Sequence, residues 1–211
     1  MPNIITYEYF NKANDLNLPL AANQPTSVSS VASPNNQAAL TNMIAEVEKD
    51  ILVNALGLDN YNALQIALSD LDNADQKWKD LVNGVEYDSK IWEGLNNDLS
   101  LIAYAVKFLF LNGNIQQNTA VGVTNVNSEN ASIVSPNYVL VNCWNKFINK
   151  YQGGSNNTNV YIHNGINVID WAGGSSDVFV SLYKFLEDNK EVYNWDSSMF
   201  MYYESKNTFD I

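Results

Sequence analysis

The stretch ADQKWKDLVNGVEYDSKIWEGLNNDLSLIAYAVKFLFLNG, residues 74–113, decides the reading of the fold. Ile91, Trp92, Leu95, Leu99, Ile102, Ala103, Val106, Leu109 and Phe110 recur at spacings of three and four, which places them on one helical face. Leu101, Ala105, Phe108 and Leu111 occupy much of the remaining circumference. The spacing predicts a long helix from about Ile91 to Leu111. A short helix carrying Trp78 and Leu81 should precede it, stopped at Gly84, with Tyr87-Asp88-Ser89 as the lead-in. Asn112-Gly113-Asn114 reads as the C-terminal stop, because glycine accepts the left-handed conformation there. A helix apolar nearly all round is covered by several neighbours or by another subunit. No catalytic constellation lies in the stretch, so it points to assembly or binding.

N-terminal to it, residues 36–56 predict a helix with a stripe of Leu40, Met43, Ile44, Val47, Ile51, Leu52, Ala55 and Leu56, closed by Gly57. A second helix follows over residues 61–71, capped by Asp59 or Asn60. Residues 1–36 read as an extended arm: ITYEYF is β-prone, but Pro19, Pro25, Pro34 and a Ser/Asn-rich run deny it regular structure. Such an arm is expected either to order on a partner or to remain a floppy terminus. C-terminal to the stretch, residues 113–135 form a long polar loop, with alternation near Ala120–Val126 suited to a strand or hairpin. Ser135 and Pro136 then open a helix to about Tyr151. Asn164-Gly165 within VYIHNGINVI predicts a β-hairpin over residues 160–169. Ser176 or Asp177 should cap a last helix over 178–188, and residues 191–211 form an aromatic tail without a clear helix or strand period. The expected fold is mainly α: a helical bundle core of five to six helices over residues 37–190, a β-hairpin, one long loop and extended N- and C-terminal arms.

Hydrophobic residues make up 46% of the 211 and aromatics 12%, enough for a folded core. The net charge of −12 leaves no basic surface for nucleic-acid or anionic-membrane binding. Glu93, Asn96, Asn97, Asp98 and Lys107 interrupt the most apolar run, so no membrane span is expected. The chain reads as soluble and cytosolic. Cys143 is the one cysteine, which rules out an internal disulfide, and its apolar neighbours make it a buried small hydrophobe.

Candidate chemistry is sparse. His163, the one histidine, sits beside the hairpin turn without an orienting acid at a recognisable spacing. One His and one Cys do not build a zinc site. Asp70, Asp72 and Asp75 resemble the start of a calcium loop, but its sixth-position glycine and closing glutamate are missing. Glu86 with Asp88, and Glu187 with Asp188, are acidic pairs of the kind glycoside chemistry uses, though solvated pairs are common in so acidic a chain. No cofactor is implied. The tail aromatics Tyr193, Trp195, Phe200, Tyr202, Tyr203 and Phe209 suit either docking on a neighbouring subunit or a carbohydrate-binding platform.

A further pattern spans residues 40–150. It comprises Val53-Asn54-Ala55-Leu56-Gly57-Leu58 with Tyr61, then Trp78, Leu81, Gly84 and Tyr87, then Trp92-Glu93-Gly94-Leu95, Ala103-Tyr104, Thr119 with Gly122, and Asn142, Trp144-Asn145 and Phe147. It resembles the head-to-tail connector (adaptor) proteins of tailed phages of Bacteroidetes, including crAss-like phages. The resemblance implies a non-enzymatic virion protein at the head–tail interface, assembled in the host cytoplasm. It implies a homo-oligomer, a dodecameric ring beneath the portal protein. The ring would contact the next tail component and pass DNA through an acidic lumen that repels it. No catalytic residues are implied. The expected contact residues are Tyr7, Tyr9 and Phe10 in the arm, Val121 and Val123 in the loop, and Trp195, Phe200 and Tyr202 in the tail. The expected core includes Trp78, Trp92, Leu95, Ile102, Val106, Trp144 and Phe147.

Overall fold

The computed structural model describes residues 2–18, 34–119, 122–125, 137–153, 178–195, 200–204 and 206. Among them the chain is mainly helical, as the periodicity predicts. Helix α1, Pro34–Leu68, is two helices joined at Gly57, whose backbone (φ 76°, ψ 163°) leaves the helical region. Its first half buries Leu40, Ile44, Val47, Ile51, Leu52, Ala55 and Leu56, the predicted stripe without Met43, which is half-buried. Helix α2, Gln76–Asn83, runs from Asp75 to Gly84 as expected and buries Trp78 and Leu81.

The predicted long helix does not begin at Ile91. Strands β1, Val85–Tyr87, and β2, Lys90–Trp92, form an antiparallel hairpin in which Val85 faces Trp92 and Tyr87 faces Lys90. Asp88 and Ser89 both have positive φ, 45° and 60°, as a two-residue turn matching strand twist requires. Beyond β2, Gly94 crosses Gly84 in contact. A Cβ on Gly94 would lie 2.5 Å from the Gly84 nitrogen and from the Val82 carbonyl oxygen. The crossing is tied by Leu95 N–H to Leu81 O (3.2 Å), Asn96 N–H to Val82 O (3.0 Å) and Trp92 Nε1–H to Leu81 O (3.0 Å).

Helix α3, Leu101–Ile115, starts after Ser100, whose Oγ donates to Leu95 O and accepts from Ile102 N–H. It continues through Gly113 rather than stopping there. A glycine inside a helix costs only about 1 kcal/mol, which the apolar helix around it absorbs. Strands β3, Gln116–Thr119, and β4, Gly122–Asn125, then pair antiparallel, as the alternation in the polar loop suggested.

Helix α4, Asn137–Gln152, packs most extensively on α3, and α3 packs next on α1. The predicted last helix starts four residues late. Val178–Phe179 is a short strand, β5, parallel to β2, and Val180 N–H donates to Ile91 O at 2.9 Å. Ser181 caps helix α5, Leu182–Asp188, by accepting from Lys184 N–H at 3.2 Å. A one-turn helix α6, Lys190–Tyr193, follows. The sheet order is β1-β2-β5, and α3 and α4 lie on the crossover that a parallel pair requires.

The N-terminal residues are not an extended arm as far as they are described. A 3-10 turn, Tyr7–Asn11, folds back on the helices, and Ile5, Phe10 and Leu16 are each fully buried. Their apolar area outweighs the turn-rich backbone that suggested an arm. The Glu48 carboxylate on α1 accepts from Ile4 N–H at 2.9 and 3.1 Å and fastens the segment. The hairpin expected at residues 160–169 lies outside the described residues. Among the described residues no helix is long and apolar enough to cross a membrane.

Trp92 is 3% exposed, stacked on Phe185 at 5.4 Å and bonded through its indole nitrogen. Trp92→Ala should lower unfolding free energy by about 3–5 kcal/mol in urea denaturation, and a loss under ~1 kcal/mol would place Trp92 outside the core.

Candidate functional site

Asn145 and Gln152 stand seven residues apart on α4, which puts them on one face of the helix. Each is only 3% exposed, so each amide must find partners inside the protein. Both find the backbone of the C-terminal segment. Tyr203 N–H donates to Gln152 Oε1, and Gln152 Nε2 donates to Tyr203 O, both at 2.8 Å. Lys206 N–H donates to Asn145 Oδ1 at 3.1 Å, and Asn145 Nδ2 donates to Lys206 O at 2.9 Å. Trp144 Nε1 donates to Glu204 O (2.8 Å) and Tyr151 OH to Met201 O (3.0 Å). From the opposite wall, Asn54 on α1 accepts from Met201 N–H (3.0 Å) and donates to the Tyr203 hydroxyl (2.8 Å).

The segment therefore runs antiparallel to α4 in a groove between α4 and α1. Residues 200, 203 and 206 turn inward, while Met201, Tyr202 and Glu204 are exposed. This is a period of three, and three extended residues rise about 9–10 Å, close to the ~10 Å of seven helical residues. The matched spacing lets two amides hold two residues at once. Aromatic contacts line the same face. Phe200 stacks on Tyr151 at 4.6 Å, and Tyr203 meets Trp144, Phe147 and Tyr151 edge-on at 5.1–5.8 Å. Burial pushes the Tyr151 and Tyr203 hydroxyls up, so both stay protonated and act as neutral partners.

Beside Tyr203 lies an apolar cavity of about 230 Å³, lined by Val47, Ile51, Ala105, Leu109, Trp144 and Phe147, with Asp50 its one carboxylate. Leu109, expected on the buried face of the long helix, is 40% exposed at its mouth.

The expected contact residues fall in different places. Phe10 is fully buried and Trp195 is 6% exposed, set edge-on to Trp78 at 5.3 Å. Both are interior residues, which corrects the expectation that they are surface contacts. The reason is their apolar area, which the chain's own core covers before any partner does. Phe200 is likewise covered by its own chain, on Tyr151. Tyr7 and Tyr9 are half-buried, and the Tyr9 hydroxyl donates to Asn96 O. Tyr202 is exposed at 56%. Val123 lies in β4, and Val121 lies outside the described residues. As far as it is described, the tail is a strap and not a free arm. Asn54, Asn145 and Gln152 were not singled out as binding residues. Their signal was present as amides at helical spacing on otherwise apolar faces.

Among the described residues, no group of three or more His, Cys, Asp or Glu is placed to hold a metal ion. Glu86 and Asp88 are exposed at the hairpin. Asp188 is bound by Lys90 and Lys184, both at 2.6 Å. Burial alone would raise its carboxyl, but the two ammonium groups hold it below the usual carboxylate range. Burial pushes the Cys143 thiol up, away from thiolate reactivity. His163 lies outside the described residues. The arrangement as a whole recognises backbone and aromatic surface. No protein-family model matches the chain, and comparisons with curated proteins and with solved structures find no match.

Gln152→Ala should leave the Tyr203 N–H and C=O unpaired, cost about 1–3 kcal/mol, and speed proteolytic cleavage of the tail in limited digestion. Burial raises the Glu48 carboxyl to about 7 from an ordinary 4.5. A raised carboxyl favours the protonated native state. The stability it contributes is full below the unfolded value and is lost as pH rises through about 7. Urea midpoints should therefore fall between about pH 5 and about pH 8, and Glu48→Gln should flatten that fall. An unchanged slope in the variant would contradict this.

Proposed function

We propose that this chain is a non-enzymatic assembly subunit and, within that class, a head-to-tail connector of a tailed phage. In this reading copies form a ring beneath the portal protein, meet the next tail component, and let DNA pass. The observation that carries it is the packing of the residues that bear the resemblance. Trp78, Leu81, Gly84, Tyr87, Trp92, Gly94 and Leu95 are not scattered but meet in one unit around the Gly84–Gly94 crossing. Asn145, Trp144 and Phe147 of the same pattern build the groove for the strap. The pattern is thus one connected structural device. The net charge of −12 suits a conduit along which DNA slides without adhering. Exposed Leu109, Tyr138, Val139, Phe179, Val192, Met201 and Tyr202 supply apolar surface for neighbouring subunits.

The carbohydrate-binding alternative needs a flat aromatic platform open to solvent. Trp195 and Phe200 are enclosed, so that platform lacks its largest ring. The test is light scattering with negative-stain microscopy on the purified chain, alone and mixed with the portal protein of the same genome. Ring particles are expected, either alone or on the portal. A stable monomer in both samples at high concentration would overturn the reading.

A further inference from the structure

We infer that the cavity bounded by α1, α3, α4 and Tyr203 is a binding site for a small organic cation, an ammonium whose nitrogen carries apolar substituents. This goes beyond the assembly reading and does not depend on it.

The cavity has the size and shape of a ligand site. At about 230 Å³ it exceeds the roughly 150 Å³ that admits a benzene-sized molecule. Its depth is apolar: Ile51 of α1, Ala105 of α3 and Phe147 of α4 are each at most 3% exposed. Leu109 and Asp50 also line it and are exposed, so the cavity opens to solvent at their end.

Charge decides what it can take. Asp50 is the one charged residue of the lining. Among the described residues it makes no ion pair. Its field reaches the aromatic wall. Burial first, and the Asp50 carboxylate with it, push the Tyr203 hydroxyl up against the opposing hydrogen bond from Asn54. An anionic ligand would be repelled by that carboxylate across a medium that screens charge poorly. A neutral apolar ligand would fill the depth and leave the carboxylate unanswered. A cation with apolar substituents answers both.

The rings supply a further attraction. Trp144, Phe147 and Tyr203 have centroids 5.1–5.8 Å apart and are inclined to one another by 50–88°. Their faces therefore point in different directions, and an ammonium near a ring face is attracted by its quadrupole. The adjoining ring already takes a cation: the Lys206 ammonium lies 6.0 Å from the Phe108 centroid, and Phe108 packs on Trp144 at 4.8 Å. Phe108 does not line the cavity, and Lys206 forms no ion pair with Asp50. A primary ammonium is strongly hydrated, so an alkylated one loses less on entering so apolar a space.

Choline is the probe. Its control is the neutral carbon isostere, in which a tert-butyl group replaces the trimethylammonium. Each is titrated into the full chain at constant ionic strength while amide and indole NMR signals are followed. Choline should bind saturably and about tenfold tighter than the isostere. Asp50→Asn changes an exposed residue, so the urea midpoint should hold while the preference for choline disappears. Ala105→Leu, which fills the cavity, should weaken both ligands. Equal affinity for the isostere would overturn the cation reading, as would an Asp50→Asn chain that binds choline like the wild type. No saturable shift with choline up to about 100 mM, or undiminished binding by Ala105→Leu, would overturn the site itself. A free ammonium and a lipid headgroup offer the same chemistry, and phosphatidylcholine vesicles separate them. Sedimentation with the vesicles that free choline relieves assigns the headgroup, and its absence alongside choline binding assigns the free cation.

Discussion

The Gly84 and Gly94 backbones touch, and the rest of the chain is arranged around that contact. A methyl group on Gly94 would lie 2.5 Å from main-chain atoms that cannot move independently, so the crossing exists only because both positions lack a Cβ. Both residues also have positive φ, 88° and 85°, which L side chains resist. The crossing places Leu95 and Asn96 against the last turn of α2 and delivers Trp92 onto the Leu81 carbonyl. It then sets where α3 can start. Because α3 is covered by both α1 and α4, the position of that first turn propagates into the whole helical layer.

The two terminal segments are attached by a different kind of force. Each covers apolar surface, but each is registered by a buried polar side chain that reaches backbone groups. Glu48 holds Ile4 at one end, and Asn145 and Gln152 hold Lys206 and Tyr203 at the other. Apolar burial is not directional, so on its own it would let an irregular segment slide. A buried amide or carboxylate is satisfied only where a backbone group meets it, which fixes the segment's distance and spacing along the helix. The stability of the termini comes from area, and their placement comes from a few hydrogen bonds.

Much of the helical architecture was legible because it rests on local signals. The α1 stripe, the break at Gly57, and the Asp75-to-Gly84 bounds of α2 all follow from periodicity and caps. Residues 85–100 were not legible by period, because Ile91, Trp92, Leu95 and Leu99 fit a helical face by spacing alone. Two glycines and the Asp88-Ser89 turn outweigh that spacing, and the contact between the glycines is tertiary. Val178 and Phe179 fit a helix equally well until β2 offers them a strand to pair with. The strap is hidden in the sequence for another reason. Its inward residues recur every third position, while helix and strand readings look for 3.6 and 2.

That threefold repeat bears on what the groove selects. The amides contact only N–H and C=O groups, which every non-proline residue offers, so they fix spacing and leave side-chain identity open. Side-chain identity is set by the aromatic walls, where Phe200 meets Tyr151 and Tyr203 meets Phe147. A slip by one residue would keep backbone partners for Gln152 but bring Tyr202 or Glu204 inward in place of Tyr203, and Glu204 would place a carboxylate against rings with no cation among its described wall residues. Slipping is therefore opposed by desolvation of charge more than by loss of hydrogen bonds. A groove of this design is general toward backbone and strict toward register.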